Sequence, residues 1–162
     1  MKTNAQNLQV LYEDNHLIAI NKRAGDIVQG DKTGNIPLSE IVKSYLVEKY
    51  HKPGEAYLGV VHRLDRPTTG VVVFAKTSKA LPRLNAAFAT KEEVSKQYWA
   101  LVEKKVIPHQ GTLTHFLVRN TSQNKSYAYP EEKPQSQKAV LTYKVLATLT
   151  HYLLVEITLL TG

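Results

Sequence analysis

Residues 57–75 constrain this chain more than any other stretch. Two apolar runs, Tyr57-Leu58-Gly59-Val60-Val61 and Val71-Val72-Val73-Phe74-Ala75, bracket the charged string His62-Arg63-Leu64-Asp65-Arg66-Pro67-Thr68-Thr69-Gly70. β-Branched and aromatic runs of this length, bounded by turn residues, read as buried strands. Pro67 to Gly70 force a turn between them. A charged loop held between two buried strands is a rigid mount for a functional group. Asp65 lies between Arg63 and Arg66, and two guanidinium groups beside one carboxylate would keep it ionised and orient it. The same residues also read as a structural turn, with Asp65 bonding its own backbone ahead of Pro67 and both arginines solvated. The residue types alone leave both readings open.

The flanking chain reads as alternating strands and helices. Val10–Glu13 and Leu17–Asn21, separated by Asp14-Asn15, predict a hairpin. A loop follows at Lys22–Asp26, where Gly25 permits a left-handed or close-packed backbone. Residues 30–36 are polar and turn-rich. Pro37 then opens a helix whose Leu38, Ile41, Val42, Tyr45 and Leu46 share one face, and which stops near His51-Lys52-Pro53-Gly54. Ser78 is the expected N-cap of a second helix carrying Leu81, Leu84 and Phe88 inward. Val94–Val102 is apolar on both faces after Gln97 and predicts a central strand. A strand at 112–118, a long polar loop at 119–138 and a hairpin pairing 139–146 with 152–159 complete the chain. The expected fold class is α+β: a mixed, mainly antiparallel β-sheet with flanking helices, about eight strands to two helices.

Several chemistries are excluded by composition. There is no cysteine, so disulfides, thiolate zinc sites and cysteine nucleophiles are absent. The six histidines show no metal-binding spacing, and neither a phosphate-cradling glycine loop nor a G-x-S-x-G string occurs. Glycoside hydrolysis would need a second carboxylate near Asp65, and none presents itself. The N-terminal residues lack the apolar run of a signal peptide, and no segment approaches a membrane span, so a cytoplasmic location is expected. A net charge of +7 and a pI near 9.5 suit a polyanionic partner, although a basic solvated surface has the same balance.

His62–Gly70 followed by Val71-Val72-Val73-Phe74-Ala75-Lys76-Thr77 resembles the central motif of the RluA-type pseudouridine synthases, H-R-L-D-x-x-T-S-G and then an apolar strand ending in A-K-T. Thr69 stands where that family usually has serine. Leu11 to Gly25 resembles the family's first motif, with Arg23 in place of the usual proline. Lys96-x-Tyr98-x-Ala100-Leu101-Val102 is similar to its K-x-Y-x-A-L-V motif.

The resemblance implies isomerisation of uridine to pseudouridine in structured RNA, either rRNA or tRNA, with no redox cofactor and no metal. It makes Asp65 the catalytic aspartate. Tyr98 would stack on the uracil or assist proton removal, although a strand tyrosine beside a tryptophan is by itself more often core. Arg63 would flip or replace the target base, and His62, Arg63 and Arg66 would serve RNA binding, His62 mainly by orienting the loop. One catalytic domain over residues 1–162 is expected, without a separate N-terminal RNA-binding domain. Its C-terminal part is expected to be missing, because the family's T-G-R-x-H-Q-I-R string is interrupted here after Thr161-Gly162. The alternative is a non-catalytic RNA-binding module or an inactive fragment of such an enzyme.

Overall fold

A computed structural model describes residues 2–30, 34–90, 93–123 and 125–161. Residues 31–33 of the expected polar turn, Lys91 and Gly162 lie outside them. The chain forms two compact units, Met1–Val94 and Ser95–Gly162. Both are built on antiparallel sheets, and the two α-helices lie in the first, so the fold is α+β as expected.

In the first unit β1 (Val10–Glu13) and β2 (Leu17–Lys22) form the predicted hairpin. Asp14 makes the turn: its Oδ1 accepts the amides of His16 at 2.7 Å and Leu17 at 2.8 Å. Strand β4 (Gly70–Ala75) pairs with β2 from Leu17↔Ala75 to Lys22↔Gly70. The sheet order is β1-β2-β4-β3, where β3 is Gly59–Val60. Helix α1 (Leu38–Tyr50) lays Leu38, Val42 and Leu46 on Ile18, Ile20, Val72 and Phe74, all buried. Burying side chains of this size contributes about 1.5–3 kcal/mol each. The helix begins cleanly because the amides of Leu38 and Ser39 donate to the carbonyls of Ile27 and Val28, at 2.7 and 3.1 Å. It ends at His51, which adopts a left-handed conformation with φ 49°.

Two expectations fail here. The run 57–61 contributes only Gly59 and Val60 to the sheet, because the chain leaves β4 after Val60 and the His62 ring takes the next amide. Gly59 also marks a close approach: a Cβ there would lie 2.8 Å from Leu81 Cδ1 of helix α2 (Ala80–Thr90). The α2 start is bonded by Thr77, not Ser78, since Thr77 Oγ1 accepts the Ala80 amide at 3.2 Å.

The second unit is a five-stranded sheet ordered β5-β9-β8-β6-β7, with β5 Gln97–Glu103, β6 Gln110–Asn120, β7 Lys125–Tyr129, β8 Gln137–Thr148 and β9 Tyr152–Leu159. The predicted pairing of the last two strands is present. β5 is an edge strand rather than a central one: among the described residues it pairs with β9 alone, and Trp99 and Leu101 remain exposed. Its apolar character on both faces misled because an edge position does not require polarity. The polar stretch 119–138 is not a long loop either. It holds β7, paired to β6 from Phe116↔Tyr129 to Asn120↔Lys125. Asn120 starts that turn by accepting the Gln123 amide at 3.0 Å, and Tyr127 and Tyr129 suit a strand despite their polar surroundings. Among the described residues, no helix is long and apolar enough to cross a membrane.

Candidate active site

The string between β3 and β4 forms a turn in which the Thr68 amide donates to the Asp65 carbonyl at 3.0 Å. Asp65 and Arg66 are exposed on it, and Arg63 is exposed just before it. What holds the turn comes from the end of β2. Lys22 alternates into the interior and is only 1% exposed. Its Nζ donates to three carbonyls, Arg23 at 3.1 Å, Arg66 at 3.1 Å and Thr68 at 2.6 Å. The Gly25 amide adds a bond to the Arg66 carbonyl at 2.8 Å, from a backbone with φ +93° that favours glycine. The Asp65 turn is therefore bound from below by one buried ammonium and one amide.

Burial lowers the Lys22 pKa, while the nearby Asp26 and Asp65 carboxylates act in the opposite direction and favour its charged form. The Asp65 carboxylate thus offsets part of the burial cost of the Lys22 cation. On the other flank, His62 Nε2 accepts the Val73 amide of β4 at 3.0 Å, and its ring stacks on Phe88 of α2 at 4.6 Å between centroids. An Nε2 that accepts leaves the imidazole proton on Nδ1. Gly70 resumes the strand with φ +132°, a conformation that a side chain at that position would strain.

The arginines do not act as the sequence suggests. Among the described residues, ion pairs join Lys43 to Glu40 and both Lys49 and Lys76 to Glu13, and none joins Asp65 to Arg63 or Arg66. A single loop this short directs neighbouring side chains apart. Tyr98 belongs to the second unit, on β5 opposite Ile157 of β9. It is half-buried, and among the described residues its hydroxyl has no protein partner. No three His, Asp or Glu side chains converge as metal ligands among the described residues.

Comparison with known proteins identifies the family. A family model described as RNA pseudouridylate synthase matches residues 16–162. The chain belongs to that family. Ribosomal large subunit pseudouridine synthase D of Zymomonas mobilis is 32% identical over 162 residues, covering 96% of this chain and 49% of that protein. Synthase C of Vibrio vulnificus is 29% identical, over 94% of this chain and 45% of its own length. Such relatives place the chain in the RluA-type branch of the family. A solved human structure, RNA pseudouridylate synthase domain containing 4, superposes with a TM-score of 0.79 at 27% identity, over 98% of this chain and 62% of that one. The chain spans about half the length of these two curated relatives.

Sequence reasoning missed Lys22. It was grouped with a structural loop after the first hairpin. The available signal was a lysine at an inward-facing strand position, following the buried Ile18 and Ile20 at a spacing of two. A charged residue in that register demands buried partners.

Proposed function

We propose that this chain carries the aspartate-bearing part of an enzyme that isomerises uridine to pseudouridine in structured RNA, rRNA or tRNA. The observation that carries the reading is the exposed Asp65 on a turn whose backbone is tied to the buried Lys22. A carboxylate offered to solvent on a fixed mount suits attack on a ribose or uracil ring, or stabilisation of an oxocarbenium-like centre. The base leaves its ribose, turns and rejoins through carbon, so the product is an isomer and the reaction consumes no reductant.

Each remaining residue has a role in this proposal. Arg63, exposed two residues before Asp65, stacks on or replaces the extruded base. Arg66 meets the RNA beside the turn. His62 orients the loop, a role that its engagement with Val73 and Phe88 supports. Tyr98 stacks on the uracil or assists proton removal, and a hydroxyl without a protein partner suits either task. The domain reading, a single catalytic domain over residues 1–162, belongs to the same proposal. So does a cytoplasmic setting, which the absence of cysteine fits.

The test is Asp65→Asn in a chain extending as far as the relatives do. Pseudouridine formation is expected to vanish while RNA affinity stays within a few-fold. Appreciable residual product would refute the role given to Asp65.

A further inference from the structure

Between the N-terminal arm at residues 2–6 and helix α1 lies a cleft of about 400 Å³, lined also by Arg66, the residue after Asp65. Its apolar walls are Ile27, Ile36 and Ile41. Ile36 is 73% exposed. The carboxylates of Asp26 and Glu48 also line it. The arm is fastened in place on both sides. Thr3 Oγ1 donates to Asp26 Oδ2 at 2.6 Å, Gln6 Nε2 reaches Glu48 at 3.3 Å, and Arg23 Nη2 donates to the Asn7 carbonyl at 3.2 Å. The cleft is therefore a built feature of the first unit.

We propose that this cleft is a subsite for one amino-bearing nucleobase, the neighbour of the target uridine in the RNA. The proposal rests on the reading of the chain as a uridine isomerase. The size falls within the range of small-ligand pockets, about 300–1,000 Å³, and suits a single nucleotide. Arg66 follows Asp65 in the chain and lines this cleft, so the subsite is assigned to a nucleotide adjacent to the one at Asp65. The Arg66 guanidinium meets the connecting phosphate. Inside, the isoleucines sandwich the base and the two carboxylates accept from an exocyclic amino group, as Asp and Glu do from cytosine. Uracil, with a carbonyl where cytosine carries its amino group, is disfavoured. The subsite thus contributes a sequence preference beside the target that the Asp65 turn alone does not supply.

The test is amide NMR of the ¹⁵N-labelled chain titrated with cytidine 5′-monophosphate, uridine 5′-monophosphate and inorganic phosphate. Cytidine monophosphate is expected to shift the Gly25, Ile27 and Ile41 amides at millimolar concentration, at least about fivefold more tightly than uridine monophosphate, a difference of about 1 kcal/mol. Ser44→Phe, placed to fill the cleft from an exposed α1 position, should abolish those shifts while leaving the Val72 and Phe74 amides in place. Glu48→Gln, which keeps the shape and removes one carboxylate, should narrow the cytidine-to-uridine ratio. Equal binding of both nucleotides, the same shifts from inorganic phosphate, no shifts at all, or unchanged discrimination in Glu48→Gln would each overturn the proposal. Such a failure leaves isomerisation by Asp65 standing. Conversely, activity surviving in Asp65→Asn would remove the enzymatic reading without changing what binds in the cleft.

Discussion

Replacing Lys22 by methionine keeps the side chain as far as Cε and removes the ammonium, which isolates the three carbonyl contacts beneath the Asp65 turn. Two of the three carbonyls retain another donor: Arg66 keeps the Gly25 amide at 2.8 Å, and Arg23 keeps the Asp26 amide at 3.3 Å. The Thr68 carbonyl, bonded at 2.6 Å by the ammonium, loses its partner. An orphaned buried acceptor costs about 1–3 kcal/mol, and bonds to a charged donor are worth about 1.5–3 kcal/mol each. Against that stands the relief of no longer burying a cation, also several kcal/mol. The net expectation is a loss of about 2–3 kcal/mol, read from urea denaturation. The local consequence is sharper. Hydrogen exchange at the Gly25 and Thr68 amides should accelerate well beyond that of Val72 or Phe74, because the turn opens without the sheet. Turnover in the longer chain should fall more steeply than stability. A Lys22→Met protein with wild-type urea midpoint and unchanged exchange at Gly25 and Thr68 would refute the view that this ammonium holds the turn.

Tyr98→Phe should lower turnover at least about tenfold, or about 1.4 kcal/mol of barrier, while changing stability by less than about 0.5 kcal/mol; an unfolded variant would make Tyr98 a core residue instead. Glu13 supplies a pH dependence. Burial acts to raise its pKa, but hydrogen bonds from Lys49, Lys76 and Tyr50 prevail and hold it at about 2, against 4.5 ordinarily. A depressed folded pKa means the stabilisation is complete above the unfolded value and is lost as pH falls from 4.5 towards 2. Screening at exposed Lys49 limits it to about 1–3 kcal/mol, so urea midpoints at about pH 6 and about pH 3 should differ more for the native chain than for Glu13→Gln. Gly70→Ala should cost about 1–3 kcal/mol through its φ of +132° alone, since the added Cβ stays 3.7 Å from Leu64 Cδ1. A neutral urea midpoint in that variant would show that the turn relaxes freely.

Local chemistry determined a good part of this protein before any packing was known. The hairpin at Asp14, the helix from Pro37 to His51 and the strand 71–75 depend on turn residues and on periodicities of two and 3.6, all readable within a few positions. The motif around Asp65 carried the family for the same reason: its residues are contiguous. Tertiary structure decided what those residues rest on. Lys22 reaches carbonyls 44 and 46 positions away, and a carbonyl is present in every residue, so no side-chain pattern announces which ones it will meet. The edge position of β5 and the pairing of β7 with β6 depend on which strands find each other, and apolar or polar composition alone does not rank those partners. Likewise, Arg63 and Arg66 flank Asp65 in sequence but form no ion pair with it among the described residues. Adjacency along a tight turn sends side chains in different directions, and only the folded backbone selects which charge holds the turn.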